Sequence, residues 1–140
     1  MPDVEGAVRT WLRAQTGIQA VVVQRVFFGV PRNVSESDFP MITVARVGGG
    51  DDLGEAPVDR ALIQLSCWGT IDANKNPIKS SATAVVNAVR SAVRGVRGRT
   101  SLTAGVVAFG LNVESVVWLP DPENDRPRYV ITVDVTAMSS

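Results

Sequence analysis

Asp51, Asp52 and Glu55 put three carboxylates in a short stretch directly after Gly48-Gly49-Gly50. Carboxylates grouped this way are the donors a hard cation would use. Their spacing fits no calcium loop, however, and acidic residues beside glycines are the usual makeup of a solvated turn. The glycine run suggests a phosphate cradle, but the Gly-Lys-Ser/Thr that completes such a loop does not follow it. With no histidine in the chain, Ser-His-Asp and Cys-His nucleophiles are excluded. Cys67 is the only cysteine, so no internal disulfide and no multi-thiolate zinc site can form. It falls on the apolar side of a strand-like run, where a buried thiol behaves as a small hydrophobe. Asp121, Glu123 and Asp125 sit between prolines and read as a solvated tip. The sequence therefore predicts no enzyme, no metal site and no cofactor.

Arginine offers a different chemistry. Arg90, Arg94 and Arg97 recur at steps of four and three residues, which puts them on one side of a helix, and Arg99 follows just after. Such a stripe is either a solvated face or a patch for an acidic partner or passing nucleic acid. The chain as a whole has 14 Lys+Arg and 14 Asp+Glu, so its formal net charge is zero. It lacks the basic excess of a domain that grips phosphates over a wide surface. Trp68 and Trp118 are large enough to anchor an interface, although burial within the fold is the expectation for both.

The elements that would position these residues are legible from periodicity. Asp3 suits a helix N-cap, and Val4, Ala7, Val8, Trp11 and Leu12 recur at helical spacing up to Gly17, a plausible terminator. Residues 24–30 (QRVFFGV) and 41–47 (MITVARV) read as strands. Residues 61–68 (ALIQLSCW) read as a third, with Ala61, Ile63, Leu65 and Cys67 on one apolar face. A long loop, 48–59, joins the second strand to the third, and another, 69–77, follows the third. Ser80 or Ser81 can cap a helix carrying Ala82, Val85, Val86, Val89, Ala92, Val93 and Val96. Gly98-Arg99-Thr100 breaks that pattern. Residues 106–119 form one bent strand or two, with Gly110 as the bulge, and 128–137 form the last, paired with it as a hairpin.

The order is α-β-β-β-α-β-β. It predicts an α+β fold over residues 1–140 as a single domain, with a mainly antiparallel or mixed sheet of about five strands packed against two helices. At 45% hydrophobic residues the chain can build a core. No apolar run approaches the roughly 20 residues of a membrane span, and the acidic start MPDVEG is unlike a signal peptide. The expectation is a cytoplasmic product that touches no membrane.

In VEGAVRTWLRAQ, RVFFGVPR, FPMITVARVGGG, the Pro57-Val58-Asp59 of APVDRALIQLSCWG, and the Ala/Val/Arg helix ending near Arg99, the chain resembles the tail terminator (tail-completion) proteins of long-tailed siphovirus phages, as in phages of actinobacteria. The resemblance spans nearly the whole chain. It implies a non-enzymatic virion protein of the tail or neck, assembled in the host cytoplasm. It also implies a homo-hexameric ring that caps the tail tube, stops tube growth and offers a surface for head-tail joining. The implied partners are further copies of the chain, the major tail tube protein and a neck connector, with non-specific contact to DNA crossing the ring. A head-closure or connector-adaptor protein is the near alternative, and a small cytoplasmic ligand-binding module the distant one. Gly48, Gly49, Gly50, Asp51, Asp52 and Trp68 are the expected subunit or tube interface. Arg90, Arg94, Arg97 and Arg99 are the expected lumen- or partner-facing patch.

Overall fold

The computed structural model describes residues 3–49 and 58–139. Helix α1 (Val4–Ala14) starts where the Asp3 carboxylate accepts the Gly6 amide at 2.9 Å. Glu5 in its first turn and Arg13 in its last complement the helix dipole. Val4, Ala7, Val8, Trp11 and Leu12 form its buried stripe. Gly17 does not end this helix. The extended backbone of Gln15 (φ −80°, ψ 122°) does, and Gly17 lies inside a second helix, α2 (Thr16–Val22). Ile18 and Val22, one turn apart, are the buried pair that holds α2 down.

The first strand is much shorter than its β-rich sequence predicts. Only β1 (Val26–Phe27) pairs, in parallel with β2 (Met41–Gly49). A parallel neighbour needs a crossover, and residues 28–40 are used to make it. They leave the sheet at Phe28 and return through a 3-10 turn, Glu36–Asp38. Next come β3 (Val58–Trp68), a small hairpin of β4 (Thr70–Ile71) and β5 (Pro77–Ile78), and α3 (Lys79–Arg94). No serine caps α3. Ile78 is its N-cap residue, and Ser81 instead accepts the Thr70 amide at 2.7 Å and donates to the Ile78 carbonyl at 2.5 Å. The chain closes with β6 (Thr100–Thr103), β7 (Val106–Trp118) and β8 (Arg128–Ser139).

The main sheet runs β1-β2-β3-β8-β7-β6 and is antiparallel except at β1. β6 is a strand the sequence pattern did not announce, lying where only a break was expected. β7 is one strand with two irregularities, between Ala108 and Gly110 and between Val113 and Ser115. Across the sheet, Ile42 opposes Cys67, which opposes Tyr129; Val44, Leu65 and Ile131 form the next row. These rows, with Ile63, Val133 and Val135, face the apolar stripes of the helices and make one continuous core. The opposite face carries Thr43, Gln64, Ser66, Thr132 and Thr136, all half-buried, and no helix covers it among the described residues. This is the predicted α+β arrangement, enlarged by one short helix, one edge strand and the small β4–β5 hairpin. Among the described residues no helix is long and apolar enough to cross a membrane.

Candidate assembly surfaces

α3 buries Ala82, Val85, Val86, Val89 and Val93 against the sheet. The same helical geometry aligns Arg90 and Arg94 along its flank, but α3 ends at Arg94 with Gly95 as its C-cap, so the expected helical Val96 and Arg97 lie in the coil beyond it. Arg90, Arg94 and Arg97 line one side of a groove of about 550 Å³, with Leu111, Asn112 and Val113 of β7 on the other. Val93 and Val96 form its apolar floor. None of these three arginines makes an ion pair among the described residues. Arg99 stands apart, beyond the helix, with its guanidinium 5.7 Å from the centre of the Phe109 ring.

The second surface is the base of the β2–β3 hairpin. Gly48 opposes Leu62, and Gly49 opposes Ala61 with φ at +78°. A Cβ at Gly49 would lie 2.1 Å from the Arg60 carbonyl oxygen, so both its conformation and its surroundings require glycine. Just below, Arg46 grips Asp59 through two bonds of 2.6 and 2.7 Å, and the Asp59 side chain is fully sealed from solvent. The guanidinium holds the Asp59 carboxyl below the usual carboxylate range. The Arg46 amide donates to the Glu5 carboxylate at 2.6 Å, tying α1 to the same spot. Gly50, Asp51 and Asp52, like Glu55, lie outside the described residues.

Trp68 stands at the opposite end of the same hairpin, paired with Met41, roughly 23 Å from Ala61 at the ordinary strand rise. The structure therefore separates Trp68 from Gly48 and Gly49. Its ring is buried, edge-on to Phe39, with the indole N–H donating to Thr43 at 3.1 Å and the Arg128 guanidinium stacked 4.6 Å away. Beside it is a feature that sequence reasoning missed. Arg126, from the tip expected to be solvated, is 7% exposed and stacked 3.6 Å over the Phe39 ring. It bonds both oxygens of Glu36, at 3.0 and 2.6 Å, and the Gly69 carbonyl at 3.2 Å. Those bonds hold the Glu36 carboxyl below its ordinary range. Nothing in the polar run ENDRPR distinguishes this arginine from a surface one.

Trp118 departs from the expected burial. It lies at the free end of β7, 40% exposed, between the Tyr129 ring at 5.0 Å and the Lys79 ammonium at 4.8 Å. With Val117 and Leu119 it forms a run of exposed apolar residues, touched at Trp118 by the first residue of α3. Cys67 is buried as expected, and desolvation pushes its thiol far up, out of the reactive range. No group of three or more His, Cys, Asp or Glu side chains that could hold a metal ion exists among the described residues.

The described surface thus holds one arginine-lined groove and an exposed apolar run at the end of β7. Among solved structures, the chain is similar to a chain described as the virion of a native gene transfer agent particle. The two are 19% identical with a TM-score of 0.65, over 98% of this chain and 95% of that one. This likeness establishes a shared fold. No curated protein matches the chain by sequence. A family model described as tail completion protein gp17 matches residues 6–138, nearly the full length. The chain belongs to the tail completion protein gp17 family, and is a structural protein of the phage virion located in the tail or neck.

Proposed function

We propose that the protein is the tail terminator of its phage: a ring-forming subunit, hexameric in the assembled particle, that caps the tail tube and presents the surface on which the head is joined. The observation that carries this reading is the family match over residues 6–138. The fold supports it physically. A ring is closed by heterologous contacts, in which each subunit offers two different patches. Here the arginine groove lies at the β7 side of the sheet, and the hairpin base carrying Gly48 and Gly49 lies at another part of the surface. The protein acts by binding. Its partners are copies of itself, the tail tube subunit and the neck connector, and DNA crosses the ring.

Deletion of the gene from the phage tests the reading. The expected outcome is tails of irregular or excessive length and heads left unjoined, scored by electron microscopy. Tails of normal length beside unjoined heads would instead assign the protein to head closure.

A further inference from the structure

The outer edge of β7 is open. β6 pairs with it only through Val106, Val107 and Ala108, and from Phe109 to Trp118 no strand covers it among the described residues. An uncovered edge presents free N–H and C=O groups and is a template for another strand. The other side of the sheet is blocked: β1 pairs with Ile42 and Thr43, and the Glu5 carboxylate takes the Arg46 amide. The two irregularities in β7 leave the run from Gly110 to Val113 regular between them. That run supplies Leu111, Asn112 and Val113 to the arginine groove. Open edge and unpaired guanidiniums therefore share one site.

We propose that this site is the receiving half of the contact between neighbouring copies, and that it takes the acidic segment 51–55 of the next copy as a short added strand. The inference rests on the ring reading, in which such copies meet. Charge complementarity selects the occupant. Residues 90–99 contain four arginines and no acid, whereas residues 51–59 contain four acids and no base. Asp59 is already held by Arg46, which leaves Asp51, Asp52 and Glu55 against Arg90, Arg94 and Arg97. Carboxylate and guanidinium match in a two-bond fork. Nucleic acid fits the site less well. Its phosphates would satisfy the arginines, but a phosphodiester backbone offers no donor to the carbonyls of the open edge.

Plasmid complementation of the gene-deleted phage tests this. R94E/R97E supplied alone, and D51R/D52R supplied alone, should each lower plaque yield by at least about a hundredfold. One chain bearing all four substitutions restores opposite charges at every junction and should recover at least about tenfold over either parent. Circular dichroism of the purified variants checks that each is folded. If a variant is not, the wild-type full chain is titrated with a labelled peptide of residues 49–57 (GGDDLGEAP), which should bind and weaken with salt. No recovery in the four-site chain when all variants fold, absence of peptide binding, or binding of an oligonucleotide in preference to the peptide would overturn the proposal. The ring reading is judged separately, by tail length in the deletion itself.

Discussion

Arg46→Leu should destabilise the protein more than Asp59→Asn, although the two substitutions break the same ion pair. The asymmetry comes from what each leaves behind. The Asp59 side chain is 0% exposed, whereas that of Arg46 is 28% exposed. Removing the arginine strands a carboxylate in a sealed site, which costs about 3–5 kcal/mol. Neutralising the aspartate leaves a guanidinium that can turn to water, so the loss is about 1.5–3 kcal/mol, near that of one charge-assisted hydrogen bond. For a domain of this size each kcal/mol lowers Tm by about 3–5 °C. Thermal melts by circular dichroism near neutral pH should therefore show losses of roughly 9–25 °C for Arg46→Leu and 5–15 °C for Asp59→Asn. Acidification separates them further. The wild-type Asp59 carboxyl is lowered in the fold by Arg46. Its contribution is complete above the unfolded aspartate value of about 3.9 and is lost as pH falls through the folded value, so the gap to Asp59→Asn closes in acid. In Arg46→Leu the stranded carboxyl is raised by burial instead, and that variant recovers relative to wild type as it protonates. Equal losses at neutral pH, or a larger one for Asp59→Asn, would refute the claim that burial of the carboxylate governs this site.

Three further outcomes follow from local geometry. Gly49→Ala should cost at least about 2 kcal/mol in denaturant midpoint, because φ is +78° and the new Cβ meets a carbonyl oxygen, whereas Gly48→Ala meets only the Leu62 side chain at 3.4 Å and should cost under about 0.5 kcal/mol; equal costs would contradict the geometry. Cys67 should resist thiol reagents in the native state and react once denaturant is added, and rapid native labelling would mean the core opens far more than its packing implies. Ser81→Ala removes both the acceptor for the Thr70 amide and the donor to the Ile78 carbonyl, and should cost about 1–2 kcal/mol in the same denaturation assay, with no change arguing that water replaces both bonds.

Periodic features were legible in the sequence, and contacts distant in sequence were not. The stripe Val4, Ala7, Val8, Trp11, Leu12 and the alternation Ala61, Ile63, Leu65, Cys67 specify a helix and a strand because burial repeats with the backbone period. The same logic put Arg90 and Arg94 on one flank of α3, whereas Arg97 reaches the same groove from the coil after the helix ends at Arg94. It failed at β1, where QRVFFGV has strand propensity throughout but only Val26 and Phe27 find a partner. There, the crossover to β2 outweighed local preference. It also failed at Arg126, whose partners Glu36 and Phe39 lie some ninety residues earlier, a distance that no local pattern encodes. The residues expected to share one interface are not brought together, for the same reason. Gly48 and Trp68 look close along the chain, yet they stand at opposite ends of one hairpin because a strand turns sequence separation directly into distance.

The zero net charge is the most misleading number in the sequence. It suggests a surface with no electrostatic preference, whereas the charges are sorted into blocks along the chain, basic over residues 90–99 and acidic over residues 51–59. The described ion pairs use Arg46, Arg60 and Arg126 and leave the α3 arginines unspent. In the proposed contact, the acidic segment of one copy neutralises the basic groove of the next. The symmetry of that contact follows. If each patch bound its own likeness, charge repulsion would oppose pairing and no dimer would form. In the proposed contact each patch binds the other instead, so every added copy would leave one groove and one acidic segment free, and a ring would form where the rotation between copies closes. A closed ring with no free edge is the end state such a pair of patches favours, and it also removes the exposure of β7 that a lone subunit has to tolerate.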